Sequence, residues 1–437
     1  MKILLITGFF PPYAPVAATR VAKLAKFFHN QGHDVRVIGA MNPRFPPVMQ
    51  PEIPAENIIY AEVKDRVAAI AARASSKKSA PISPSGGAEA TPETAEQPSK
   101  FKAFAKWVLT ELLHNPDHFR GWVKPAIKAG EALLETWRAD LIYVSAPPHS
   151  SVLVGGALAK TFDIPWVPEF RDAWTPNPYY DNTPVRRFFE RQMEDMLLRS
   201  TAGIVALTET WTAFYAERYG KPTELVMNGF DPDDFPIDGP PVPFDPISQE
   251  KLTILYAGSI YLGKRDPTTL FAAMQKMGSV ADRIEVHFYV EWPGNLKALA
   301  EKFGVEANVK IHAPVPYQEI VRLQQSADIL LLLRWDHPGE DGVLAGKLFE
   351  YIAARRPVLS LGSTTGEAAK IINDNALGLV TRDVDETVAE LTKWLAAKPA
   401  GGLVPGPENV DVADFARSKQ FEKLDRFLRA LAEKRAS

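Results

Sequence analysis

The sequence predicts an α/β protein made of two doubly wound parallel-sheet domains, and three observations lead there. Short apolar runs that read as buried strands alternate with helical stretches along both halves of the chain, the pattern of repeated βαβ units. A Pro/Asp-rich linker, residues 231–248 (DPDDFPIDGPPVPFDPIS), separates the two series. The 437 residues, 46% of them apolar, suffice for two substantial cores. Two halves of similar size joined in this way imply a cleft between two sheets, where α/β proteins bind their ligands.

Composition narrows the function. A net charge of −3 gives no bulk affinity for nucleic acid. The chain has no cysteine, which removes disulfides, thiolate nucleophiles and cysteine zinc sites. No uninterrupted apolar run reaches the ~18 residues of a membrane-spanning helix. Met1-Lys2 before ILLITGFF imitates a signal peptide, but Pro11-Pro12 follow at once, and a first βαβ unit accounts for the whole stretch.

The first half opens with a strand over 2–7, a loop over 8–16, a helix over 17–30 and a strand over 34–39. The loop, Gly8-Phe9-Phe10-Pro11-Pro12-Tyr13-Ala14-Pro15, lacks the GxGxxG of a dinucleotide site; its rigid, aromatic character suits the wall of an acceptor pocket. Residues 68–100 are dominated by Ala, Ser, Pro, Lys and Glu and are expected to be a disordered insertion. In Phe101–Leu113, Phe101, Phe104, Trp107, Val108 and Leu112 recur at helical spacing, which fits a helix on its own domain or an interfacial membrane helix. Another helix (124–137), a strand (140–145) ending in APPHS, a helix (151–162) and a strand (164–170) follow. That last strand runs into Arg171-Asp172-Ala173-Trp174. Two charged residues at a strand's carboxyl end suit a phosphate or carboxylate (Arg171) and a hydroxyl (Asp172), or a loop ion pair. The half closes with a helix (184–199), a strand (203–207), a helix (209–219) and a strand running into the Asn228-Gly229 turn.

The second half starts at the strand 252–259 and a loop, 260–265, before helix 267–277. Strand 284–290, helix 294–303, strand 309–312 and helix 317–325 lead to the apolar run 327–333. Then comes DGVLAGKLFEYIAARRPVLSLG, residues 341–362: a glycine-containing loop, a helix and a strand. Lys347 and Glu350 are three apart and share a helix face near its N-terminus, where exposed amides and the positive dipole end favour a phosphate. The carboxylate of Glu350 can accept hydrogen bonds from sugar hydroxyls. The same pair also reads as an ordinary surface ion pair. Small residues over 361–367 offer further backbone amides, and residues 415–434 form a terminal helix.

At this point the residues resemble the retaining glycosyltransferases of family 4, which have the GT-B fold of two Rossmann-like domains facing across a cleft. Four landmarks carry the resemblance: FFPP before the first helix, SAPPHS with IPWVPEFRDAW, VMNGFD, and AGSIYLGKRDP with GKLFEYIAARRPVL. The second is similar to a subgroup associated with bacterial surface polysaccharides. The resemblance implies an acceptor-binding domain over 1–235, a nucleotide-sugar domain over 249–410, and a helix over 411–437 that returns to the first domain. It implies a donor site built from Ser259, Lys264, Arg265, Gly342, Lys347 and Glu350, with Glu350 on the donor ribose and Lys264 against the diphosphate. Arg171 and Asp172 would stand beside the reacting sugar and act with Lys264 in catalysis. Phe10, Pro11, Arg20 and His149 would lie on the acceptor side.

Two positions depart from the family pattern. The acid expected eight residues before Glu350 is Gly342, leaving Glu340 or Asp341 as substitutes, and the arginine expected five before Lys264 is Ser259, leaving Arg265 as a second cation. The donor implied is a UDP- or GDP-sugar, with no permanently bound cofactor, and no acidic cluster of the second half has the spacing of a metal cage. The implied acceptor is a saccharide, lipid-linked, at the cytoplasmic face of a membrane that Phe101–Leu113 could touch. A sugar-nucleotide epimerase of the same fold and a catalytically silent scaffold are the competing readings.

Overall fold

The computed structural model describes residues 1–13, 18–41, 50–64, 115–180, 182–235, 250–408 and 410–436. The insertion expected over 68–100, the helix expected over Phe101–Leu113 and most of the linker lie outside them. The chain divides into two compact units. The first comprises Met1–Val205, Tyr215–Glu224 and Phe427–Ser437; the second comprises Ala206–Phe214 and Leu225–Arg426.

In the first unit, β1 (Lys2–Thr7), α1 (Thr19–Asn30) and β2 (Asp34–Met41) form the opening βαβ unit. After β3 (Ile58–Glu62) come α2 (Val123–Leu134), β4 (Leu141–Ala146), α3 (Ser150–Phe162) and β5 (Trp166–Phe170). Then follow α4 (Pro184–Leu198), β6 (Ile204–Ala206), α5 (Glu209–Tyr219), whose residues up to Phe214 belong to the second unit, and β7 (Thr223–Leu225). The seven strands lie in the order β3-β2-β1-β4-β5-β6-β7. Strand β1 is therefore central, parallel to β2 on one side and to β4 on the other. Its residues Ile3 to Ile6 are all fully buried, as a strand covered on both faces requires. The run that imitates a signal peptide is thus the spine of a core.

The second unit follows the same plan. It contains β8 (Leu252–Ala257), α6 (Thr268–Met277), β9 (Ile284–Tyr289), α7 (Leu296–Phe303), β10 (Val309–His312) and α8 (Tyr317–Ser326). Next are β11 (Ile329–Leu333), α9 (Lys347–Ala354), β12 (Val358–Leu361), α10 (Gly366–Asp374), β13 (Gly378–Thr381) and α11 (Val384–Ala397). Helix α12 (Arg417–Ala436) closes the chain. The strand order is β10-β9-β8-β11-β12-β13. Strand β11 shows why a continuous apolar run is needed here. Ile329, Leu331 and Leu333 join the core on one face of the sheet, with Ile254 and Phe271. Leu330 and Leu332 join the core on the other, with Leu348 and Ile352 of α9.

Both sheets reverse their winding once, between β1 and β4 in the first unit and between β8 and β11 in the second. The carboxyl ends of those strand pairs are where open α/β sheets form ligand crevices, because the connecting loops part there. Among the described residues no helix is long and apolar enough to cross a membrane.

Candidate functional site

At the β8/β11 crossover of the second unit, Gly258 directly follows β8 with φ +137°, and a Cβ on it would lie 2.5 Å from Lys347 Nζ. A glycine is required there both by the backbone angle and by the approaching ammonium. Lys347 Nζ donates to the carbonyl of Ala257 at 2.7 Å and lies 4.1 Å from the ring centre of Tyr256. Burial, and then the neighbouring Arg265 guanidinium, push Lys347 down to about 7. One helical turn on, Glu350 accepts from Gln324 Nε2 at 3.0 Å. Burial raises its carboxyl, with Gln324 and Lys347 partly offsetting the effect. Both side chains stand on the first turn of α9, whose N-terminus has no side-chain cap.

The loop after β8 adds two more cations. Tyr261 and Arg265 pair across a tight turn, and Lys264 at its tip is exposed, its Nζ 4.4 Å from the ring centre of Trp335. Trp335 in turn stacks on His337 at 4.2 Å. Ser259 is exposed and its carbonyl accepts from the Tyr256 hydroxyl at 2.5 Å. Arg265 donates to Glu340 at 3.2 Å, and Glu340 is only 2% exposed. Asp341 accepts from Thr365 Oγ1 at 2.6 Å. Both acids considered as substitutes at position 342 are thus engaged within the unit.

Gly342 itself has a reason that the sequence did not suggest. A Cβ there would lie 2.5 Å from Cε2 of Trp211, and its carbonyl accepts from Thr208 Oγ1 at 3.3 Å. The indole occupies the place that a longer side chain would need. The turn over 361–367 also differs from the expected open cradle. Gly362 would place a Cβ 2.0 Å from the carbonyl oxygen of Arg334, and Gly366 one 2.4 Å from Cα of Asp341. Arg334 Nη1 donates to the Ser363 carbonyl at 2.7 Å. Those glycines serve backbone packing.

The first unit gathers its candidates at the β1/β4 crossover. A Cβ on Gly8 would lie 2.1 Å from Cγ of Pro148, and the Gly8 amide donates to Ser151 Oγ at 3.1 Å, so the loop after β1 lies against the start of α3. Arg20 donates to Glu169 through Nη2 at 2.7 Å and Nε at 3.0 Å, and Ser145 Oγ donates to the other carboxylate oxygen at 2.7 Å. Burial alone would raise Glu169; the Arg20 guanidinium and the Ser145 hydroxyl outweigh it and hold the carboxyl below its ordinary range. Arg171 donates to the carbonyls of Ala146 and Pro147. Burial lowers its guanidinium. Asp172 is exposed.

His149 is 3% exposed, with its ring stacked on Trp174 at 4.9 Å and edge-on to Tyr180 at 5.6 Å. Burial, with Arg171 nearby, pushes it down to about 3, so the imidazole is neutral at physiological pH. Its Nε2 is buried with no partner among the described residues. Phe10 requires a correction. It is 1% exposed and its Cβ would be 3.2 Å from one on Gly39, so the ring belongs to the core and not to a pocket wall. Pro11 is buried too, its carbonyl accepting from the Tyr60 hydroxyl.

The structure therefore brings Ser259, Lys264, Arg265, Lys347 and Glu350 to one crossover, and Arg20, His149 and Arg171 to the other. Sequence reasoning missed Tyr256, Gln324, Trp335 and Trp211, which nothing in their local pattern marked. Glu169 did carry a signal, as a carboxylate on the otherwise uncharged strand Trp166–Phe170.

Solved structures share this architecture from end to end. A sucrose-phosphate synthase from Thermosynechococcus elongatus superposes with a TM-score of 0.66 at 13% identity, covering 100% of both chains. Anabaena HepE in complex with UDP gives 0.63 at 14%, covering 98% of this chain and 100% of its own. WaaG, a glycosyltransferase involved in lipopolysaccharide biosynthesis, gives 0.55 at 17%, covering 99% and 98%. The two parallel-sheet units and these neighbours define the GT-B fold. Within it, residues 17–230, just under half of the chain, match the family model of a glycosyl transferase 4-like domain. Domain and fold together support sugar transfer as the activity. No curated protein matches the chain by sequence.

Proposed function

We propose that the protein transfers a sugar from a nucleotide-diphosphate sugar to an acceptor hydroxyl with retention at the anomeric carbon. The observation that carries this reading is the half-buried Lys347–Glu350 pair on the uncapped first turn of α9, beside the two cations Lys264 and Arg265. Glu350 is suited to accept hydrogen bonds from a ribose, and Lys347 with the α9 amides to meet a diphosphate. Negative charge grows on the departing phosphate in the transition state, so a fixed cation such as Lys264 accelerates the step. That UDP is bound by HepE, a neighbour of the same fold, supports a uridine nucleotide as the first donor to try. In this reading Arg171 and Asp172 serve the reacting sugar, and Arg20 and His149 support the acceptor side, with Arg20 acting through Glu169. The acceptor is a lipid-linked saccharide of a surface polysaccharide, reached at the cytoplasmic membrane face, and Phe101–Leu113 contributes to that contact.

A thermal-shift screen against UDP, GDP, ADP and their sugars, with Glu350→Ala alongside, tests the donor site. A ligand of the native state at 100-fold excess over its Kd adds roughly 2.7 kcal/mol. One nucleotide should stabilise the wild type and not the variant. Shifts with none of them would remove the donor reading; a shift without acceptor-dependent nucleotide release would favour the scaffold. The anomeric configuration of the product, read by NMR, tests retention. Loss of liposome pelleting on Trp107→Asp would support the contact through residues 101–113, and equal pelleting would sink it.

A further inference from the structure

Helix α4 is amphipathic the wrong way round. Its inward face carries Glu190 (2% exposed), Glu194 and Leu198 (both 0%), while Val185 (67%), Phe188 (59%), Phe189 (53%) and Met196 (68%) stand outward. The arrangement is committed, because the inward carboxylates have partners. Glu190 accepts from Arg186 at 2.8 Å and Asn182 at 2.9 Å, and Glu194 accepts from Thr175 and from Tyr215 at 3.3 Å. The outward residues fall at i, i+3, i+4 and i+11, one stripe of the helix, with Phe188 and Phe189 edge-to-face at 5.6 Å. Exposed Phe188 and Phe189 side by side forfeit burial energy unless something covers them.

From this placement we propose that the outer face of α4 docks on an anionic lipid surface. Charge decides the kind of occupant. Arg191, Arg199 and Arg218 line a shallow recess with Tyr219 at the C-terminal end of the helix, where Asp195 is the one carboxylate among the described lining residues. Arg191 and Arg199 are exposed, and Arg218 pairs with Asp195 at 2.6 Å. An apolar stripe beside cations is the chemistry of a helix lying in the headgroup layer, its rings in the acyl boundary and its guanidiniums on phosphates. Size argues against a second copy of the chain: four side chains fall well short of the ~800 Å² per partner of a stable interface. The surface lies wholly on described residues of the first unit and does not depend on the sugar-transfer reading.

The test is sedimentation of the full chain with phosphatidylcholine vesicles, with and without phosphatidylglycerol, and needs neither donor nor acceptor. Wild type should pellet with the anionic vesicles, less with the neutral ones, and less as salt is raised. The double variant Phe188→Ser/Phe189→Ser should lower partitioning about tenfold or more with the melting temperature unchanged, since both rings are exposed. Arg191→Glu/Arg199→Glu should lower binding to the anionic vesicles only. Equal pelleting of the phenylalanine variant, or no pelleting of wild type with either vesicle, overturns the proposal. So does a wild-type dimer in solution that the same variant dissolves, which would make the stripe a self-association surface.

Discussion

Glu194 and Lys347 are charged groups that the fold holds away from their ordinary protonation. Burial pushes Glu194 up to about 7, against the donors Thr175 and Tyr215 and the charge of Arg218. Between its ordinary value near 4.5 and 7 the folded chain binds a proton that the unfolded chain does not. Stability must therefore fall as pH rises through that window and level off above it. Unfolding free energies from urea titrations at pH 5 and pH 8 should differ less for Glu194→Gln than for wild type, by up to roughly 3 kcal/mol. Lys347, near 7, is largely neutral at pH 8, and an arriving diphosphate would restore its charge. On the proposed reading, nucleotide binding at pH 8 should take up close to one proton, seen by calorimetry in buffers of different ionisation enthalpy, and Lys347→Met should abolish the uptake. Gly342 gives a third expectation at this scale. Gly342→Ala should cost about 1–3 kcal/mol by overpacking against Trp211, and less in a Trp211→Ala background.

At the scale of elements, close approach governs α3. Gly155 sits mid-helix, where alanine would ordinarily gain about 1 kcal/mol of helix propensity. Here a Cβ would lie 2.2 Å from Cγ2 of Val144, and one on Gly156 would lie 2.8 Å from Cδ2 of Leu197. The helix rests directly on β4, so Gly155→Ala should lower stability by about 1–3 kcal/mol in chemical unfolding, with its propensity gain overridden. Local signals served well where an element carries its own pattern. Strand 2–7 and helix 209–219 lie where the residues indicated. Strands β3 and β13 and helix α11 were not foreseen. β3 and β13 are short and sit at the edges of their sheets, so neither shows the long buried run that marks a central strand. Helix α11 had a legible start, Asp383, whose carboxylate caps the amides of Asp385 and Glu386 at 2.7 and 2.9 Å.

For the whole molecule, the chain's last residues matter more than their position suggests. Phe427–Ser437 belong to the first unit, where Leu428 and Leu431 are buried and Phe427 and Leu431 close over Gly203. Truncation after Arg426 should cost roughly 3–6 kcal/mol for the two leucines, visible as a lower melting temperature or loss of soluble protein. Repetition of one plan also has a consequence at this scale. Each sheet reverses its winding once, and each places its charged candidates at that reversal, so each unit holds its own cluster.

By itself the sequence determined the two-domain α/β class, because apolar runs covered on both faces and Pro-rich breaks are local, periodic signals. It also singled out the Lys347–Glu350 helix turn, whose spacing is a property of four consecutive residues. Tertiary structure alone decided what each candidate touches. Arg20 meets Glu169 from 149 positions away, and Gly342 is a glycine because of an indole brought up from Trp211. The orientation of α4, with carboxylates inward and phenylalanines outward, runs against the periodicity rule and goes with the partners of Glu194, Thr175 and Tyr215, which lie 19 and 21 positions away. Such choices rest on contacts between distant segments, which no window of neighbouring residues encodes.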